Sequence, residues 1–208
     1  MNVIRFLTES NKIEGIDEIN YENPRFQNPE KGHFGAYTIS QQAASEQAPL
    51  SVKMLRVWQA MLGKEQQEFS GTAIDDLEIG QIRGPALKKN VRIGTHLPPS
   101  YEEVPTFLQY LVEDLNQDLK ENRLKYESDP EAFTRFAASY FLRFERIHPF
   151  SDGNGRVGRL LANYLAASCK KPLLIFPSDT VMRNIYIKAH NSEDLMTAYF
   201  QQIMKETR

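Results

Sequence analysis

Twelve consecutive residues, His148-Pro149-Phe150-Ser151-Asp152-Gly153-Asn154-Gly155-Arg156-Val157-Gly158-Arg159, bring together the groups that reaction at a phosphorus atom requires. A helix begins after Gly153-Asn154-Gly155. A helix N-terminus carries unpaired N–H groups and a partial positive charge. The two glycines let backbone approach a ligand closely, and the combination cradles an anion. Arg156 and Arg159 stand three apart at the helix start and reach toward the same anion, which suits a polyphosphate. Asp152 is a lone carboxylate beside that cradle, the usual way to hold magnesium with phosphate oxygens and water completing the shell. His148 heads the loop and ionises near neutrality, so it can take a proton from an attacking hydroxyl. Phe150 alternates with His148 and anchors the loop in the core. Together these parts describe in-line transfer at phosphorus.

Each part has a plainer explanation when taken alone. A single histidine is usually structural, and Asp or Asn near a helix start is often a cap. Gly-Asn-Gly is an ordinary turn, and two arginines three apart usually form a solvated face. Their coincidence within twelve residues favours the chemical reading.

The loop needs rigid flanks, and the sequence supplies them. Phe133, Phe136, Ala137, Tyr140, Phe141, Phe144 and Ile147 fall at steps of three and four, which predicts a helix of about four turns. Pro149 stops it, because it lacks an amide hydrogen and disfavours the α conformation at His148. Val157, Leu160, Leu161, Tyr164 and Leu165 form the buried face of the helix that follows. Upstream, Asn2 to Ile13 reads as a short helix, and 16–36 as an irregular connection with helix resuming near Thr38. A further helix starts at Ser51, with Leu55, Trp58 and Leu62 on one face. In Gly80–Pro105, Val91 and Ile93 alternate with Asn90 and Arg92 between breakers, which predicts a short β-hairpin. Phe107, Leu108, Leu111, Val112 and Leu115 repeat at helical spacing, 120–130 is polar, and an amphipathic region runs from Val181 to Met204. The expected class is all-α with one small hairpin flap.

Bulk properties bound the alternatives. The 208 residues make one domain the default, with 41% hydrophobic and 25% charged residues. A net charge of −2 gives no broad positive field for nucleic acid, so any anion site is local. The single cysteine, Cys169, forbids an intrachain disulfide, fits a reducing compartment and reads as a buried filler. Met1–Asn11 contains Arg5 and Glu9 and lacks the apolar core of a signal peptide. No stretch nears the roughly 18 apolar residues of a membrane span. A cytoplasmic location is expected, with export as an effector left open.

The loop resembles the signature of the Fic family, His-x-Phe-x-(Asp/Glu)-Gly-Asn-Gly-Arg-x-x-Arg, and every specified position matches. The resemblance extends over most of 50–204, with a Gly-x-Ile-Arg element at Gly80–Arg83 before the flap. It implies a helical bundle with a small β-hairpin, magnesium as the cofactor and ATP as the co-substrate. His148 would be the general base and Asp152 the magnesium ligand. Gly153, Asn154 and Gly155 would form the anion hole, and Arg156 and Arg159 would hold the phosphates, Arg159 the outermost. The flap, placed near Lys89–His96 with Val91, Arg92, Ile93 and Gly94, would register a segment of the target protein by strand addition. Tyr186 and Asn191 stand where family members contact the base. In Doc-like kinases a lysine replaces the second loop glycine and the nucleotide is reversed. Gly155 therefore favours transfer of a nucleoside monophosphate to a Ser, Thr or Tyr hydroxyl. UMP or GMP transfer, and a regulatory nucleotide-binding module without turnover, are the alternatives.

Near the other end, Ser10-Asn11-Lys12-Ile13-Glu14-Gly15 reads as a helix ending at a glycine cap. It also resembles the family's inhibitory motif, (Ser/Thr)-x-x-x-Glu-(Gly/Asn), in the class that carries its inhibitor ahead of the catalytic core. Residues 1–35 are then an inhibitory segment and connection, and 36–208 the catalytic domain. Glu14 would pair with Arg159 and take the place of the γ-phosphate. The same glutamate is expected to position a water for removal of the modification. The partners implied are ATP and a target protein, without nucleic acid or membrane, and a homo-oligomer is compatible with the sequence.

Overall fold

A computed structural model describes residues 2–71 and 74–206. Helix α5 (Pro130–Ile147) is the axis on which the other elements are organised. Asp129 caps it, accepting from Glu131 N at 2.9 Å and Ala132 N at 3.1 Å, and Pro130 opens its first turn. The whole aromatic stripe from Phe133 to Ile147 is buried. Burying side chains of this kind stabilises by roughly 1.5–3 kcal/mol each.

Around α5 pack α4 (Val104–Ser128), α6 (Asn154–Ser168) and α8 (Glu193–Glu206). Helix α2 (Gly32–Ser45) lies between α6 and α3 (Val52–Phe69), and α7 (Thr180–Ala189) packs on α8. Helix α1 (Asn2–Ile13) packs against α6. Its Phe6, Leu7 and Ile13 belong to the same hydrophobic core as α5 and α6, so residues 1–35 and 36–208 share one core. No described helix is long and apolar enough to cross a membrane. Cys169 is fully buried, and burial pushes its thiol up to about 12.

The helical class expected from the sequence is found, but the hairpin is not. Among the described residues the β structure is a single antiparallel bridge, Ile93 to His96, closed by mutual backbone bonds of 3.0 and 2.9 Å about Gly94-Thr95. Val91, Arg92 and Gly94 lie in no strand. Pro98 and Pro99 lack the N–H groups that would extend the ladder, and a lone two-stranded ribbon is marginal. Three other expectations shift. Helix α2 starts at Gly32 rather than near Thr38. A Cβ at Gly35 would press on Met61 and the Pro29 carbonyl, so this glycine serves close packing rather than helix breaking. Helix α4 continues through the polar stretch to Ser128. The region 181–204 is two helices, separated at His190-Asn191-Ser192.

Candidate active site

The loop between α5 and α6 is held in an uncommon shape. His148 ends α5 in the left-handed region, φ 48° and ψ 62°, a conformation that costs a non-glycine residue about 1–2 kcal/mol. Arg83, fully buried, offsets that strain. Its Nε donates to the His148 carbonyl at 2.8 Å, its Nη2 to the Ile147 carbonyl at 3.0 Å, and its backbone N–H to the Pro149 carbonyl at 2.7 Å. The same guanidinium donates to Lys89 and Pro99 carbonyls at 3.3 Å, which ties the flap to the loop. Asn154 closes the loop from the other side. Its Oδ1 accepts from Phe150 N at 2.9 Å and its Nδ2 donates to the Phe150 carbonyl at 2.8 Å. Phe150 is fully buried against Phe144, as its alternation with His148 suggested.

Gly153, left-handed at φ 81°, is the N-cap of α6, and no side chain caps the first turn. Arg156 and Arg159 are both buried at that end. Arg156 Nη2 donates to Gln66 Oε1, while its Nε is buried with no partner. Gln66 Nε2 in turn donates to Asp152 Oδ2 at 3.1 Å, and Gln59 Nε2 to the Asp152 carbonyl at 3.2 Å. Asp152 keeps a side chain that is 43% exposed. Among the described residues no cluster of three or more His, Cys, Asp or Glu could hold a metal by itself. One partly exposed carboxylate beside an anion cradle fits magnesium brought in with phosphates, since that ion takes one or two protein carboxylates and fills its shell from phosphate and water.

Arg159 is held by Ser10 of α1, by Glu14 just after it and by Tyr186 of α7. Its Nε donates to Ser10 Oγ at 2.9 Å, and its Nη2 to the Ser10 carbonyl at 2.9 Å and to Glu14 Oε1 at 2.6 Å. Its Nη1 donates to Tyr186 Oη at 3.3 Å. Burial opposes the charge of Arg159, and Glu14, Tyr186 and Glu145 together outweigh it, so its pKa rises. Burial likewise acts to raise Glu14, and Arg159 reverses this to hold its carboxyl below the usual range. The Glu14 carboxylate lies so close over Gly155 that a Cβ there would collide with it. Gly15 ends α1 at φ 74°, with Gly15 N bonded to the Lys12 carbonyl and Ile16 N to the Asn11 carbonyl, both at 3.0 Å. That double cap aims the last turn of α1 at Arg159.

His148 faces a cleft of about 610 Å³, walled by the flap turn Ile93–His96, by Leu142, Glu145 and Arg146 of α5, and by Ile187, His190 and Asn191 beside α7. Burial, with Arg83 nearby, lowers the His148 imidazole to about 4. At neutral pH it is uncharged and able to accept a proton. Ile93, Gly94 and Asn191 share this cleft, whereas Tyr186 is buried beneath Arg159.

A model of the Fic/DOC family matches residues 49–166, more than half of the chain. The chain belongs to the Fic/DOC family. It is 29% identical over 123 residues to the protein adenylyltransferase Fic of Drosophila willistoni, and 30% over 125 residues to that of Drosophila yakuba. Each match takes in 59% of this chain and 22% of the relative, so the chain spans about a fifth of these Fic proteins. The fold is that of a Fic domain containing signaling protein from Bacteroides thetaiotaomicron, with a TM-score of 0.70 and 19% identity over 97% of this chain and 82% of the other. It also matches Fic-1 from C. elegans, with a TM-score of 0.62 and 20% identity over 99% and 60%. IbpAFic2, solved covalently tethered to Cdc42, matches with a TM-score of 0.53 and 16% identity over 95% and 62%.

Several residues of this Fic-family site carry no role in the sequence reading. Gln59 and Gln66 follow Leu55 and Leu62 by four, so both interrupt the apolar stripe of α3, a signal visible in the spacing. Glu145 follows Phe141 by four and interrupts α5 in the same way. Arg83 is part of the Gly80–Arg83 element, but its grip on three successive loop residues is a long-range contact that no spacing encodes.

Proposed function

We propose that this Fic-family chain is a self-inhibited protein adenylyltransferase, transferring AMP from Mg-ATP to a hydroxyl side chain of another protein. One observation carries the reading. An anion of the chain itself, the Glu14 carboxylate, sits against Gly155 and on Arg159, at the mouth of the helix where a phosphate would bind. The unpartnered Arg156 Nε supports it, since a buried guanidinium donor without an acceptor is costly unless a ligand supplies one.

In this mechanism Gly153, Asn154 and Gly155 form the anion hole, Asn154 and Gly155 offering backbone N–H groups to the phosphates while Asp152 holds the Gly153 N–H, and Arg156 and Arg159 neutralise the phosphates. Asp152 holds magnesium, which when bound stabilises charge on the phosphate oxygens. His148 accepts the proton of the target hydroxyl as its oxygen bonds to the α-phosphorus. The bond from that phosphorus to the bridging oxygen breaks, and pyrophosphate leaves. The neutral imidazole suits this role. The flap turn at Ile93–Gly94 borders the same cleft, where an extended target segment would lie alongside it. With Glu14 on Arg159, the γ-phosphate loses its guanidinium and meets a negative charge, so the enzyme rests in an inactive state. The curated relatives, named protein adenylyltransferases, accord with this chemistry.

Parallel incubation of Glu14→Gly with ATP labelled at the α- or the γ-phosphate tests the proposal. Label from the α-position alone on protein is expected. Label from the γ-position would mean phosphorylation, and label from neither would leave a non-catalytic nucleotide-binding module.

A further inference from the structure

The cleft in front of His148 has a polar group that the transfer chemistry does not use. Glu145 lies one turn before His148 on α5 and lines the same cleft. Its Oε1 is buried and has no hydrogen-bond partner. Arg159, the cation whose charge acts on it, directs its donors to Ser10, Glu14 and Tyr186 instead. A buried carboxyl oxygen without a partner costs roughly 1–3 kcal/mol.

The neighbouring helix is shaped to admit it. Gly158 sits in the second turn of α6, where glycine costs about 1 kcal/mol relative to alanine. A Cβ there would collide with Glu145 Oε1 and press on the Phe141 ring at 3.1 Å. Two local losses of stability therefore place one carboxyl at the seam between the cleft wall and α6, with Oε1 turned toward Gly158. An apolar side chain at 145 would continue the stripe of α5 without either.

The rest of the cleft suggests what the carboxyl meets. Phosphates held at Arg156, Arg159 and the start of α6 leave the nucleoside to extend past His148 into this space. Ile93, Leu142 and Ile187 provide apolar walls for a planar group. His190 Nδ1 pairs with the Tyr186 carbonyl at 2.9 Å, and His96 Nε2 with the Arg146 carbonyl at 3.0 Å.

We infer that Glu145 hydrogen-bonds the nucleoside of the bound nucleotide, at the base edge or the ribose diol, and sets which nucleotide the cleft accepts. This rests on the nucleotidyl-transfer reading above. Burial raises the Glu145 carboxyl to about 8, with Glu14 reinforcing and Arg159 opposing the shift. At neutral pH it then carries a proton and offers both a donor and an acceptor. A polar group left unpaired by the wrong ligand is what lets a site reject that ligand.

The test is equilibrium binding of Mg-ATP, Mg-GTP and Mg-2′-deoxy-ATP to Glu14→Gly, alone and combined with Glu145→Ala or Glu145→Leu, by titration calorimetry. Glu145→Leu keeps the volume and is expected to fold at least as stably, which a melting curve checks. Both substitutions should weaken ATP binding about 10-fold or more and shrink the preference for ATP over GTP or over the deoxy nucleotide. Loss of the first preference assigns the base, and loss of the second the ribose. The inference is overturned if a folded variant binds all three nucleotides as the Glu14→Gly parent does. Label transfer by the parent is scored separately. Its absence with every nucleotide would defeat the transfer reading, while the binding series would still decide the role of Glu145.

Discussion

Glu14 Oε1 and Arg159 Nη2 lie 2.6 Å apart, joining the end of the first helix to the anion cradle across 145 residues of chain. The arginine is fully buried, and the glutamate side chain is 33% exposed. Removing the carboxylate leaves Arg159 free for a phosphate while its bonds to Ser10 remain. Glu14→Gly is therefore expected to raise transfer by about 10- to 100-fold, the factor equivalent to one charge-assisted hydrogen bond. Initial rates with labelled ATP measure it. Equal rates for wild type and variant would remove Glu14 from the account of inhibition.

A second set of contacts holds α1 without touching Arg159. Asn11 Nδ2 donates to Tyr21 Oη at 3.0 Å, and Tyr21 Oη donates to Glu65 Oε2 at 2.7 Å. His33 N adds a bond to the same carboxylate at 3.2 Å. Tyr21→Phe strips one partner from Asn11 and one from Glu65, and should cost roughly 1–3 kcal/mol. A lower melting temperature is expected together with raised basal transfer, because the last turn of α1 is less firmly placed. A lower melting temperature with unchanged transfer would make the network a support of the fold alone.

Arg83 should prove as necessary as the signature residues. It binds carbonyls on both sides of the strained His148 and two more in the flap region. Arg83→Lys keeps the charge but loses the planar fork. The expected result is a loss of about 2–4 kcal/mol of stability in a denaturant titration. Transfer by Arg83→Lys in the Glu14→Gly background should fall by about 100-fold, since a misplaced base of the order of 1 Å is that costly. Near-parental stability and rate would show that the loop holds its shape unaided.

The low pKa of His148 gives a pH signature. Its imidazole titrates at about 4 in the folded chain against an ordinary value of 6.5. The folded state thus binds fewer protons than the unfolded one, so this group supports the fold above pH 6.5 and withdraws that support as the pH falls toward 4. The imidazole resonances of His148 followed by NMR should show no titration between pH 8 and 6. A midpoint near 6.5 would mean a solvated ring.

Much of this was readable from residue order because the groups are local. The loop is contiguous, the stripe of α5 is periodic, and Gly15 marks the turn that follows α1. The Glu14 to Arg159 pair was anticipated by resemblance rather than by periodicity. Alternation in Val91–Ile93 predicts a longer hairpin than forms because it does not count the prolines that follow it. The break between α7 and α8 is hidden in the sequence because Tyr186, Ala189, Met196 and Tyr199 stay buried on both sides of it. Arg83, Gln59 and Gln66 act across 65 to 93 residues, and such distances are set by packing.

Intact-mass spectrometry most directly tests the claim that Arg159 is switched between Glu14 and the γ-phosphate. Wild type, Glu14→Gly and Glu14→Gly/His148→Ala are each incubated with Mg-ATP and a cell lysate. The expected result is addition of one AMP to the chain or to a lysate protein with Glu14→Gly, little with wild type and none with the double variant. No addition to any protein with Glu14→Gly, or addition that persists without His148, would contradict it.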